Sequence, residues 1–338
     1  MTMRGLAMTA LGSILKIHNL PIPVLKSNQV LVKMNAAPIN PSDIGYVQGI
    51  YGNTKATHFP CVPGFEGVGI VDKVYDSCNY YLIGKRVSVY NDVSSKDYVG
   101  TFAEFTRVEA HRLIELSNIP HDEQAACANI NPMTALGFLH ICSKEGHKSV
   151  IQTAAASQVG KIFLRLCLRN NINVINIIRK EEEANEIRQF GTKLILNYME
   201  SDFIPKLQKE ISEYQPSIVF NAVGNDLTSK LLKELPNDSQ IVQYANITLK
   251  PLGEFYSEEF LFKNKSIKGY WFSKYLDKLH PLESKLMRLY IGSEFDRKED
   301  NIFKSSIQKV IDFSKYEEAK AIYLKNMTKG KVVLKISH

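Results

Sequence analysis

No apolar run in the 338 residues approaches the ~20 needed to cross a bilayer, so neither a spanning helix nor a membrane partner is expected. Five cysteines are present, Cys61, Cys78, Cys127, Cys142 and Cys167, and no two of them form a Cys-x-x-Cys pair. That argues against a disulfide framework and against a structural zinc knuckle, and makes a reducing compartment the simplest home. The net charge of +7 is scattered rather than massed, and nothing resembles a nucleic-acid module, so no nucleic-acid partner is expected. The scattered charge is either a solvated basic surface or an attraction for phosphate-rich ligands, such as a nucleotide, coenzyme A or an acidic carrier protein. Solenoid-period repeats and low-complexity linkers are missing as well. The opening residues MTMRGLAMTALG lack a long apolar core and an Arg/Ser-rich amphipathic leader. They read as running directly into a first strand, which leaves mitochondrial matrix and cytoplasm open as compartments.

What the chain does have is length for two domains and an ordinary hydrophobic fraction of 44%. Residues 1–120 read as β-rich, with strands expected at 29–35, 69–75 and 86–90 between closely spaced Gly and Pro. From about residue 120 the texture becomes alternating helix and strand. One helix opens at Asp122 and continues through Thr134 to Cys142. Strands are expected at 149–153, 173–178, 193–197, 217–222, 240–245 and 266–272, with helices between them. The tail reads as helices near 281–291 and 301–326, then a last strand at 331–336.

The stretch 149–180 organises this second half. A short apolar run ends in Ala154-Ala155-Ala156-Ser157, and Gln158-Val159-Gly160 lead into an amphipathic helix. That helix places Ile162, Leu164 and Leu166 on its apolar side, with Lys161, Arg165 and Arg169 outside. A second apolar run ends on Arg179-Lys180. Strand, small-residue turn, helix and strand make the first half of a dinucleotide-binding unit. The Gly-x-Gly-x-x-Gly fingerprint is degenerate, with Ala155, Ser157 and Gly160 at its glycine positions, so a plain α/β turn stays open. Six strands with helices between them would complete a doubly wound sheet and favour the nucleotide reading.

The first half carries Ala36-Ala37-Pro38-Ile39-Asn40-Pro41-Ser42-Asp43, then Gln48-Gly49-Ile50-Tyr51-Gly52 and Pro63-Gly64-Phe65-Glu66-Gly67-Val68-Gly69. Gly84-Lys85-Arg86-Val87 and Gly100-Thr101-Phe102-Ala103-Glu104-Phe105 follow. Together with the nucleotide-type half, these motifs resemble the medium-chain dehydrogenase/reductase superfamily over essentially the whole chain. The resemblance implies an α/β protein: a GroES-like β-rich catalytic domain (1–120 and 273–338) and a doubly wound Rossmann cofactor domain (121–272), with the active site in the cleft. Zinc-dependent relatives need a cysteine at the position of Asn40 and a histidine at that of Phe65. An amide and a phenyl ring supply no thiolate or imidazole to a tetrahedral site, and the four-cysteine lobe is missing, so no metal is expected. Without a Lewis acid, alcohol dehydrogenation is disfavoured. Within the zinc-free branch the chain is similar to 2-enoyl thioester reductases of the mitochondrial type. The similarity lies in residues 39–43 and 48–51, Asn131-Pro132-Met133-Thr134, Phe262-Lys263-Asn264-Lys265 and Gly269-Tyr270-Trp271-Phe272.

That likeness implies NADPH-dependent reduction of the C2=C3 bond of an enoyl thioester carried on coenzyme A or acyl carrier protein. Tyr51 is implied as the proton donor. A phenol is neutral at pH 7 and holds a transferable proton, although a tyrosine in a glycine-bounded loop is also an ordinary packed residue. Asn40 either orients the nicotinamide or Tyr51, or starts an Asx turn before Pro41. Cofactor contacts are implied at Asn131, Thr134, Ala156, Ser157, Gln158, Val159, Gly160, Tyr244, Ala245, Asn246, Tyr270, Trp271, Phe272 and Lys331. Trp271, the single tryptophan, either lines the nicotinamide cleft or simply packs. Gln158 stands where glycine is usual, and either points outward or crowds the pyrophosphate; Ala245-Asn246 likewise depart from a glycine pair. The residues themselves add the choice of nucleotide. Roughly 20 residues past Gly160, where an NAD site wants an acid, the chain has Arg179 and Lys180, suited to a 2′-phosphate. Glu181, Glu182 and Glu183 follow at a helix N-terminus, where the dipole explains them. A quinone or enone reductase and a non-catalytic scaffold subunit remain alternatives. A homodimer through an edge strand at 266–272 is implied by analogy of fold.

Overall fold

The computed structural model describes residues 1–93, 99–117, 121–297 and 301–337. The chain divides into two compact units, Met1–Met133 with Pro281–His338, and Thr134–His280. The borders expected from the sequence lie at 120/121 and 272/273. The helix Ile130–Glu145 runs across the first of the observed ones.

In the first unit the strand Gln29–Pro38 is buried along nearly its whole length, because it has neighbours on both edges. Glu66–Val74 pairs antiparallel along one edge; Phe105–Glu109 and the C-terminal strand Lys331–Lys335 share the other. Arg86–Tyr90 and Ile114–Glu115 extend the sheet, and Thr2–Ala7 forms a separate hairpin with Lys16–Pro21. Both ends of the chain therefore build one unit. Gln29–Pro38 ends where Asn40 caps the helix Pro41–Val47, with Pro41 at the first helical position, where its missing N–H costs nothing.

Two expected elements differ in kind, and the strand expected over 266–272 stops at Gly269, with Phe272 opening the helix Phe272–Lys278. The continuous helix from Asp122 is two helices, Asp122–Ala126 and Ile130–Glu145; the second starts afresh with Pro132 in its first turn. The helix expected over 301–326 holds a strand, Ile307–Asp312, before the helix Tyr316–Lys325. Ile307, Val310 and Ile311 suit a pleated surface, and the strand pairs parallel with Lys331–Lys335, the short helix serving as crossover.

The second unit is a six-stranded sheet, paired parallel throughout. From edge to edge it runs Ile195–Asn197, Asn173–Ile178, Ser149–Thr153, Ile218–Asn221, Gln240–Gln243 and Ser266–Gly269. The order reverses beside the first strand, so this is a doubly wound Rossmann sheet whose ligand crevice lies at the carboxyl ends of the strands. Ile151, Ile175, Val219 and Ile241 form its core with Leu207, Leu227 and Leu231 from the covering helices. On the helix Gln158–Arg169, Lys161 departs from its expected outward position. It is only 4% exposed, because the helix Glu181–Arg188 covers it and Glu186 takes its ammonium.

Candidate active site

The Rossmann unit supplies a cradle. After Ser149–Thr153 the backbone turns through Ala154 in the left-handed region, φ 50°, a conformation that usually calls for glycine. Ser157 then caps the helix Gln158–Arg169, its Oγ accepting the Gly160 N–H at 3.1 Å. A methyl group on Gly160 would lie 2.5 Å from the carbonyl oxygen of Ala155, so this glycine is what lets helix and strand close together. Ala155 and Ala156 are buried, and the remaining N–H groups of the first turn form an anion-ready helix N-terminus. Gln158 is 6% exposed, so it does not point outward, and Val159 is half-buried beside it. Tyr244 is half-buried, with its hydroxyl hydrogen-bonded to Ser157 and its ring 4.8 Å from Phe138. Burial pushes its phenol up. Ala245 follows, exposed, and the Asn246 amide is tied locally, donating to the Lys250 carbonyl at 2.9 Å.

At the end of the second strand the side chains of Arg179 and Lys180 are exposed. Their backbone N–H groups donate to the Glu183 carboxylate at 2.9 and 3.3 Å, so Glu183 serves the helix start, as the dipole argument expects. Tyr198 was missed in the sequence. Its N–H donates to the Ile178 carbonyl at 3.0 Å, which sets it beside Arg179; burial raises its phenol while the guanidinium pulls it down. It also lines a cavity of about 200 Å³ with Phe203, Ile204, Asp226 and Leu227 at the carboxyl ends of the strands. The only sequence signal was an aromatic directly after a strand.

Tyr270 is buried, and its hydroxyl has no hydrogen-bond partner among the described residues. Gly137 leaves room for it, since a Cβ there would sit 2.3 Å from the phenolic oxygen. A buried polar atom in want of a partner, in the unit that carries the phosphate-type cradle, fits a unit that holds a dinucleotide. Trp271 and Phe272 are half-buried, with the Lys274 ammonium 5.9 Å over the indole. Asn131 and Thr134 are buried in the first turns of Ile130–Glu145.

The first unit holds a buried polar network. Asn40 Nδ2 donates to Glu66 at 3.0 Å, and Lys331 Nζ donates to Asn40 Oδ1. The other Glu66 oxygen accepts the Ile130 N–H at 2.8 Å, and Lys331 Nζ lies 4.0 Å from Glu66. Asn40 is thus both a helix cap and a cross-link. Lys331, expected as a cofactor contact, has its ammonium in this network. Burial pushes the Glu66 carboxyl up, against the pull of Lys331. Asp43, fully buried, accepts from Asn40 N at 2.7 Å and Phe65 N at 3.0 Å. Tyr51 is half-buried in the following loop, its ring 5.3 Å from that of Phe65. Asn40 and Phe65 offer no donor pair for zinc. Among the described residues, no group of three His, Cys, Asp or Glu is placed to hold a metal, and no helix is long and apolar enough to cross a membrane.

Burial raises the Asp43 carboxyl to about 7, with Glu66 adding to the rise and Lys331 opposing it. An acid raised on folding binds more protons in the native state than in the unfolded chain. Its stabilising share is complete below its ordinary value of 3.8 and is lost as pH climbs through about 7. Asp43→Asn removes that dependence. The melting-temperature advantage of the wild type over the variant should therefore shrink from pH 5 to pH 8; a constant difference across that window would count against it.

Residues 26–118 match the alcohol dehydrogenase GroES-like domain family, and residues 159–288 the zinc-binding dehydrogenase family. A mitochondrial enoyl-[acyl-carrier-protein] reductase of Arabidopsis thaliana is 31% identical over 271 residues, covering 78% of this chain and 70% of that protein. Its Dictyostelium discoideum namesake is 29% identical, covering 95% and 90%. Among solved structures, a Mesorhizobium loti protein assigned as an NADPH:quinone reductase superposes with a TM-score of 0.85 at 26% identity, covering 99% of this chain and 98% of that one.

Proposed function

This chain belongs to the zinc-free medium-chain dehydrogenase/reductases, of the enoyl thioester reductase type, and we propose from that premise that it reduces the C2=C3 bond of 2-enoyl thioesters with NADPH. The observation that carries the reading is a phenol, Tyr51, packed on a phenyl ring, Phe65, where metal-dependent relatives have an imidazole ligand. Conjugate reduction needs no Lewis acid. It needs a positioned hydride and a proton donor for the carbon that becomes an enolate.

When bound, NADPH supplies the hydride that bonds to the β-carbon. Tyr51 gives its proton to the α-carbon as the carbonyl electrons return, and the phenolate recovers a proton from solvent. Ser157 and the N–H groups that open Gln158–Arg169 hold the pyrophosphate. Arg179, Lys180 and Tyr198 take the 2′-phosphate, and Tyr270 offers its unpaired hydroxyl to the cofactor. The thioester is carried on coenzyme A or an acyl carrier protein, and the mitochondrion is the compartment the relatives' names favour. We assign a homodimer contact to Ser266–Gly269, the edge strand of the parallel sheet.

Replacing Arg179 and Lys180 together by serine should weaken NADPH binding by about 100-fold, from two charge-assisted hydrogen bonds of ~1.5–3 kcal/mol each reduced by exposure. NADH binding should stay where it was. Nicotinamide fluorescence on titration measures both, and equal losses for the two nucleotides would remove the 2′-phosphate assignment. The reaction itself is tested by mixing the protein with NADPH and crotonyl-CoA and following nicotinamide absorbance, with a quinone in parallel. A quinone reductase is the second reading, favoured by the superposition on the Mesorhizobium protein. Quinone turnover without thioester turnover would establish it.

A further inference from the structure

We propose that Asp43 is a positioning residue for Tyr51, acting through Phe65; for its chemistry this rests on the thioester reductase reading. Tyr51 lies in a loop between Gly49 and Gly52, whose φ angles are 73° and 56°. The Ile50 N–H donates to the Gly45 carbonyl at 2.9 Å and the Thr54 N–H to the Tyr51 carbonyl at 3.1 Å, which fixes the loop backbone; the orientation of the ring is set by what it packs against. Phe65 provides that surface: its ring centroid is 5.3 Å from Tyr51 and 5.7 Å from Tyr46, the latter on the helix Pro41–Val47.

Phe65 is itself held from two sides. Its N–H donates to one Asp43 oxygen, while the other oxygen takes the Asn40 N–H, so a single buried carboxyl ties the helix start to the strand start. On the other side Gly64, at φ 105°, presses so closely on Phe102 that a Cβ would lie 2.5 Å from its ring. Loss of the carboxyl frees the Phe65 N–H, leaves its carbonyl bonded to the Asn91 N–H at 2.8 Å, and lets the platform under the phenol shift. Proton transfer to carbon responds to displacements of that size.

The test is a cycle of Asp43→Asn and Phe65→Leu, each alone and combined with Tyr51→Phe, assayed with crotonyl-CoA and NADPH. Each single variant should lower kcat about tenfold, within the range a positioned proton donor contributes, with KM for NADPH changed less than about twofold. In the Tyr51→Phe background neither should lower kcat further, because both act through the phenol. A full additional loss there overturns the proposal and leaves the reductase reading standing. A Tyr51→Phe protein as active as the wild type overturns the proposal together with the proton-donor role of Tyr51, and absence of crotonyl-CoA turnover in the wild type overturns the reductase reading. Fluorine NMR of 3-fluorotyrosine at position 51 gives a readout independent of turnover: its resonance should move in both variants, and an unmoved resonance also overturns the proposal. Phe65→Leu, which keeps the N–H bonded to Asp43, carries the test if Asp43→Asn does not fold.

Discussion

Tyr51→Phe should slow thioester reduction by about 10²- to 10⁴-fold while NADPH binds as tightly as before. The substitution removes one oxygen and keeps the ring on Phe65, so it opens no cavity and disturbs no packing. Ser157, Arg179, Lys180, Tyr198 and Tyr270, assigned to the cofactor, belong to the other unit, and their hydrogen bonds are unaltered. What is lost is the proton for the α-carbon. Protonation of carbon is slow without a placed acid, and a phenol held against the enolate is the only donor this reading supplies. A quinone behaves differently, because its reduced oxygens take protons from water readily. The variant should therefore lose thioester turnover and retain any quinone turnover. Undiminished reduction of crotonyl-CoA by Tyr51→Phe would sink the assigned role, and parallel loss of both activities would point to damage rather than to proton transfer.

Much of the fold was legible where burial leaves a local trace. Ser149–Thr153, Asn173–Ile178 and Arg86–Tyr90 are observed at the residues expected, because each is a short segment carrying Val or Ile between turn residues. Ile307–Asp312 reads as helix in the sequence, since its burial is slight and irregular and its pairing comes from Lys331–Lys335 further along the chain. Lys161 was placed outside by helical periodicity, which knows one helix at a time and not the neighbour that covers it. The site divides the same way. The Ser157 cap and the Gly160 approach follow from local spacing, whereas Tyr198 reaches Arg179 only because two parallel strands lie side by side. Asn40 left two roles open in the sequence; neither partner of its side chain, Glu66 or Lys331, is within helical or strand range of it.

Lys331→Met should be the most damaging substitution in the first unit. Lys331 is 3% exposed and Glu66 is fully buried, and their charged groups sit 4.0 Å apart with Asn40 bridging them. Removing one partner leaves a carboxylate in a dry interior, which costs about 3–5 kcal/mol. For a unit of this size that lowers the melting temperature by on the order of 10 °C. The loss has a pH signature. Without the lysine the Glu66 carboxyl, already raised by burial, rises further, so the native state holds its proton more tightly than the unfolded chain. Stability then falls as pH rises, and the variant should be least impaired near pH 5 and most impaired at pH 8. Adding Glu66→Gln removes the orphaned charge and should restore most of the loss at pH 8. A deficit that is flat with pH and untouched by the second substitution would mean that Lys331 contributes packing rather than charge. NADPH affinity below the melting transition separates the two roles of the lysine: an ammonium engaged by Asn40 and Glu66 leaves it unchanged, whereas a direct cofactor contact does not.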